Sequence, residues 1–154
     1  MPLFRKDFKI RLMGDPILYS KCKEIPLKDI KKKEFQDFLD DMIWNMKKKD
    51  GVGLSAPQIG LSQRIFVVAD RIFVGKKEDK EVKFKETVFI NPEIISLGNK
   101  EVLGMEGCLS MPHLYGEVPR AKSLKIKAYN RKGELFEIEA EDFYARVIQH
   151  EYDH

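Results

Sequence analysis

The sequence predicts an α+β fold: mostly antiparallel sheets packed around a central C-terminal helix, with an amphipathic helix nearer the N-terminus. Two observations carry this. Apolar residues recur at helical spacing in an early stretch and again at the end of the chain, while between them they fall in short alternating or continuous runs bounded by turn residues. The order is also helix, several strands, helix, rather than the strand–helix alternation of a parallel sheet.

Taken in order, "EFQDFLDDMIWNM" places Phe35, Phe38, Leu39, Met42, Ile43 and Met46 on one face, predicting a helix over about 30–49. "DGVGLSAPQIG" then reads as a loop. "RIFVVAD" at 64–70 is a buried strand, and "KKEDKE" at 76–81 a charged turn between β-prone "RIFVG" and "ETVFINP". In "SLKIKAYNRKGELFEIEA" at 123–140 both arms alternate around a turn that holds Gly133, predicting a hairpin. From Glu141 the helical spacing returns with Phe143, Tyr144, Val147 and Ile148.

The chain has 154 residues, enough for one core and too few for two ordinary ones, so residues 1–154 are expected to form a single domain. Hydrophobic residues make up 43% and charged residues 34%, which fits a globular rather than a disordered chain, and no apolar run approaches the roughly 18–20 residues that span a bilayer. The net charge of +3 argues against nucleic acid as a partner, and the runs Lys31–Lys33 and Lys47–Lys49 read as solvated helix ends. Cys22 and Cys108 do not make a disulfide framework, and a reducing compartment fits them.

The chain ends in "VIQHEYDH". Residues four apart on a helix lie about 40° apart around its axis, so His150 and His154 can reach one metal ion. Glu151 is turned by about 100°, off the ligand direction but close enough to act on water beside the ion. This H-E-x-x-H spacing suits a divalent metal with the glutamate as general base. A catalytic site needs a third protein ligand, and Cys108, Cys22, His113 or an acidic residue could supply it. Cys108 follows Gly107 in a loop that can approach a helix and is favoured; Cys22 sits in a charged turn, and His113 reads as an exposed loop residue.

"GVGLSA" fits the dinucleotide pattern G-x-G-x-x-G/A in letters only. That pattern needs a strand before it and a helix after it, and here the order is reversed. The loop instead permits close approach of backbone to a ligand, with Gln58 offering an amide to a developing oxyanion.

Three segments now stand in order: "GVGLSAPQ" (51–58), "EGCLS" (106–110) and "QHEYDH" (149–154). Together they resemble the three signature motifs of the peptide deformylases. The likeness extends over nearly the whole chain, including "RLMGDPIL" near the start and "VPRAKSLKIKAYNRKGE" between the second and third motifs. Ser55 stands where many bacterial members have Ala, and Tyr115 where some have Arg.

The resemblance implies a metal-dependent hydrolase that removes the N-formyl group from the formylmethionine of new polypeptides and releases formate. It implies a metal site of Cys108, His150 and His154, natively holding Fe2+, with Zn2+, Ni2+ or Co2+ able to bind. Glu151 would be the base, and Gln58 with the backbone N–H of Leu109 the oxyanion hole. The backbone at Val52, Gly53 and Gly107 would pair with the substrate peptide. Val52, Phe143 and Val147 would line the methionine pocket, and a Glu106–Arg120 ion pair would brace the Cys108 loop. The implied partner is the formylated nascent peptide, near the ribosome, with no nucleic-acid or membrane binding of its own. The expected location is cytoplasmic, or else an organelle or a genetic element of a bacterial host. Two other classes fit the motif: a zinc endopeptidase, and a catalytically weakened metal-binding relative, since the chain ends at His154.

Overall fold

The structure is a computed structural model that describes residues 4–74 and 81–154. The charged turn expected at 76–81 falls outside the described residues, apart from its last position. Helix α1 runs Lys33–Lys48. Strands β1 (Gly53–Ser55), β2 (Ile65–Val74), β3 (Glu81–Leu97), β4 (Glu101–Cys108), β5 (Met111–Ala121), β6 (Ser123–Tyr129) and β7 (Leu135–Glu141) follow, and helix α2 (Asp142–Asp153) comes last. The fold is mixed α+β, and every pairing between named strands is antiparallel.

Five strands form one sheet in the order β1-β2-β3-β6-β7, and β4 and β5 form a separate two-stranded sheet. The five-stranded sheet is covered on both faces. Ile65, Val67 and Ala69 of β2 and Val88 and Ile90 of β3 pack with Leu39, Met42 and Met46 of α1. The alternate residues Phe66, Val68 and Phe89 pack with Ile126 of β6 and with Ala145 and Ile148 of α2. This is why "RIFVVAD" is a continuous apolar run: successive side chains point to opposite faces, and both faces are dry. Leu39 is fully buried, and its truncation to Ala would cost about 2–5 kcal/mol.

The β6–β7 hairpin follows the predicted boundaries closely, and its turn is closed by Asn130 Oδ1, which accepts from the amides of Lys132 (2.9 Å) and Glu134 (3.0 Å). Three expectations need correction. Gly107 and Cys108, expected in a loop, are the last two residues of strand β4, which pairs with β5. The stretch 50–60 is not simply a loop: Gly53–Ser55 pair with Phe66–Val68 as an edge strand, and Ala56–Ile59 form a 3-10 turn. Residues 53–59 are buried because they lie over the core, which no local spacing in the sequence reveals. His113 lies in strand β5 rather than in a loop, at φ 64° and exposed.

Candidate metal centre and active site

Two elements, β4 and α2, bring three donor side chains together at the C-terminal end of α2. Cys108 is the last residue of β4, followed by the tight turn Leu109–Ser110. His150 lies in the last turn of α2, and His154 caps it. Cys108 Sγ is 3.4 Å from His154 Nε2, and His154 Nε2 is 3.3 Å from His150 Nε2. The three donor atoms lie within 4.8 Å of one another. Donors arranged tetrahedrally at Zn–N of about 2.0–2.1 Å and Zn–S of about 2.3 Å stand roughly 3.3–3.6 Å apart. The spacing fits one metal ion.

The protonation states fit too. His150 Nδ1 is 3.0 Å from Glu106 Oε1, so that nitrogen carries the proton and Nε2 keeps its lone pair for the cluster. Glu106 also accepts from Arg120 through Nε and Nη2, both at 3.0 Å, and from Arg146 Nη1 at 2.7 Å. Burial works against its ionisation, yet the hydrogen bonds from Arg120, His150 and Arg146 outweigh it and hold the carboxyl at about 2. Burial, then the nearby His150, pushes His154 down to about 4, leaving it neutral and able to bind a metal. Burial raises the Cys108 thiol, opposed by hydrogen bonds from the Ser110 amide and hydroxyl.

Glu151 is 5% exposed, and its Oε2 has no hydrogen-bond partner. Burial pushes it up to about 8. A buried carboxylate oxygen without a donor calls for water or a cation beside it. Gln58 is held in one orientation. Its Oε1 accepts from the Ser55 amide (3.0 Å) and hydroxyl (3.2 Å), which turns Nε2 toward Cys108 Sγ (3.4 Å) and Ser110 Oγ (3.2 Å).

A cavity of about 510 Å³ opens onto these groups. Of the site residues expected from sequence, Val52, Gly53, Gln58, Glu106, Gly107, Cys108, Leu109, Phe143, Val147, His150 and Glu151 line it. His154 and Arg120 do not: His154 faces a neighbouring cavity of about 260 Å³, and Arg120 stands behind Glu106. Val147 is buried in the wall, whereas Phe143, 59% exposed, sits at the rim. Cys22 is not part of the cluster; its Sγ lies 3.7 Å from the backbone oxygen of His154. His113 lines the cavity mouth without joining the donor atoms. Sequence reasoning missed Ser110 and Arg146. Arg146 had a signal, since it lies one turn before His150 on the same face of α2.

An α+β scaffold that brings a strand-borne thiol to a helix-borne H-E-x-x-H, beside a buried carboxyl and a fixed amide, has the make-up of a metal-dependent hydrolase. A family model for polypeptide deformylases matches residues 8–154, and the chain belongs to that family. It is 41% identical to the peptide deformylase of Pseudothermotoga lettingae over 95% of this chain and 76% of the relative. Against the enzyme of Fusobacterium nucleatum it is 43% identical, over 96% of this chain and 78% of the relative. A class I type b peptide deformylase from Acinetobacter baumannii, crystallised with Met-Ala-Ser bound, superposes with a TM-score of 0.87 at 31% identity, covering 97% of this chain and 93% of that one.

Proposed function

We propose that residues 1–154 act as one catalytic domain that hydrolyses the formyl amide of N-terminal formylmethionine on nascent polypeptides, releasing formate. Cys108, His150 and His154 are read as the metal ligands. The observation that carries this is the Glu151 carboxyl, buried and without a donor, beside three converging donor atoms and the fixed Gln58 amide. The Acinetobacter relative's bound Met-Ala-Ser is the peptide that deformylation of formyl-Met-Ala-Ser would leave.

A divalent ion held by the three ligands supplies Lewis acidity toward the substrate carbonyl and toward water. Fe2+ is the native ion in this reading, with Zn2+, Ni2+ and Co2+ as substitutes, since thiolate and imidazole ligands suit these better than magnesium. Glu151 takes a proton from the attacking water as its oxygen adds to the formyl carbon. The Nε2 amide of Gln58 and the backbone N–H of Leu109 donate to the oxyanion that develops. As the C–N bond breaks, Glu151 passes the proton to the leaving amine, so formate and a free N-terminus are the products. Val52, Phe143 and Val147 receive the methionine side chain, and the backbone at Val52, Gly53 and Gly107 pairs with the peptide as an added strand.

This chemistry belongs wherever formylmethionine-initiated chains are made, close to the ribosome, in a bacterial cytoplasm or an organelle. Among the described residues no helix is long and apolar enough to cross a membrane. The deciding assay is formate release from formyl-Met-Ala-Ser, with the unformylated peptide as control. Formate from the first alone supports the reading. Cleavage of the unformylated peptide would favour an endopeptidase, and no reaction with either a weakened relative.

A further inference from the structure

Arg146 belongs to none of the sequence motifs, yet it ties the two halves of the site together. Its side chain is 11% exposed. From α2, one turn before His150, Nη1 donates to Glu106 Oε2 at 2.7 Å and to the Val118 carbonyl at 2.8 Å. Nη2 donates to the Val102 carbonyl at 2.6 Å. One guanidinium therefore grips both strands of the β4–β5 hairpin as well as the carboxylate that orients His150. Gly104 makes room for it: a Cβ there would stand 2.8 Å from the guanidinium carbon.

The grip matters because of how the hairpin is built. β4 and β5 form a two-stranded sheet apart from the main one, and most of their side chains are exposed. A two-stranded sheet of this kind is marginal by itself, with little apolar burial to fix its position. Yet β4 supplies Cys108, while α2 supplies both histidines. Glu106 and Cys108 are two residues apart on β4, so they share a face of the strand. Glu106 meets His150 and Cys108 meets His154, as two successive rungs between strand and helix.

We propose that Arg146 is a positioning residue for the metal centre: by clamping both strands of the β4–β5 hairpin and Glu106 to α2, it holds the Cys108 sulfur in register with His150 and His154. The inference rests on the reading of those three residues as ligands. An ammonium cannot reproduce the clamp, because one point charge cannot span Val102, Val118 and Glu106 as the planar fork does.

The test compares the parent protein with Arg146→Met, Arg146→Lys and Gly104→Ala. Zn2+ affinity is measured by competition with a chromophoric chelator, alongside the absorption spectrum of the Co2+-substituted proteins. Arg146→Met should bind Zn2+ about 10–100-fold more weakly, the usual cost of removing a group that orients a ligand. Its sulfur-to-cobalt charge-transfer band should weaken or shift. Arg146→Lys should stay close to Arg146→Met. Gly104→Ala, which keeps the arginine but occupies its seat, should change affinity and spectrum in the same direction, and it decides the matter should Arg146→Met not fold. Parental Zn2+ affinity and Co2+ spectrum in Arg146→Met or Gly104→Ala, with only the thermal midpoint lowered, would make Arg146 merely structural and overturn the proposal. Full restoration by lysine would overturn the clamp as well, leaving only charge. Cys108→Ala is the separate control: if it keeps stoichiometric metal, the ligand reading itself fails, whatever Arg146 does.

Discussion

Gly53 lies directly against Glu151: a Cβ on the glycine would sit 2.7 Å from Glu151 Oε1. The edge strand and the helix approach this closely only because that strand lacks a side chain there. Gly53→Ala must therefore move the carboxyl. A displacement of about 1 Å in a catalytic group costs on the order of 100-fold in rate. Deformylase kcat/KM should fall by about that factor while metal content stays at one per chain. Unchanged turnover would show that the carboxyl can move without consequence.

Glu151 is placed to carry a proton rather than to ligate. Glu151→Gln should retain metal and lose about 10²–10⁴ of kcat, the usual range for a general acid–base group. Metal analysis and formate release on the same preparation separate the two roles, and loss of the ion from this variant would make Glu151 a ligand.

Metal uptake should depend on pH with a definite sign. In the metal-free protein, burial raises the Cys108 thiol, so it is protonated at neutral pH and must lose that proton to bind. His154, pushed down to about 4, is already neutral and releases none near pH 7. Glu151, pushed up to about 8, is also protonated in the metal-free state and would be drawn toward ionisation by a nearby cation. In Glu151→Gln that second proton is absent, so Zn2+ affinity should rise about tenfold per pH unit below the thiol pKa, one proton per ion. Calorimetry in two buffers of different ionisation enthalpy counts the protons directly; a slope of zero would mean that a thiolate is already present.

Glu106 is the acceptor for two arginines and a histidine, and its side chain is 8% exposed. Glu106→Gln leaves the Arg146 guanidinium without its counter-charge and Arg120 with Asp153 alone. Removing one partner from such a buried arrangement typically costs about 3–5 kcal/mol. Urea unfolding of the metal-free protein should show that loss, and Zn2+ affinity should fall as well because His150 loses its acceptor. A variant as stable as the parent would mean that the arginines find other partners.

Substrate choice tests the apolar pocket. Methionine buries about three more heavy atoms than alanine, worth roughly 2 kcal/mol at about 0.8 kcal/mol per methylene-sized group. Formyl-Met peptides should therefore exceed formyl-Ala peptides by about thirtyfold in kcat/KM. Equal values would remove the pocket from Val52, Phe143 and Val147.

Local spacing explains which parts were legible from sequence. The helix expected over 30–49 appears as Lys33–Lys48 because its apolar stripe repeats within a few residues. The i,i+4 relation of His150 and His154 and the alternation of the β6–β7 hairpin are equally local. Cys108 is different. It meets His154 across 46 residues, and nothing in the spacing around it favours that partner decisively. The hairpin that carries it is not legible in the sequence because its exposed strands lack a clear apolar alternation. Gly53–Ser55 reads as loop in the sequence because three residues are too few to show a period, and their burial comes from elements distant in sequence.

The separateness of the β4–β5 hairpin bears on how the centre can be watched. A ribbon held to the rest by polar clamps and by one ligand sulfur should open before the five-stranded sheet does, exposing its amides to solvent exchange. Binding at Cys108 closes the chain between that residue and α2 into a ring, so ion occupancy raises the free energy of the opening. Deuterium uptake along 101–121 would then serve as a built-in occupancy gauge, slow in the loaded molecule and fast in the stripped one, read without any substrate.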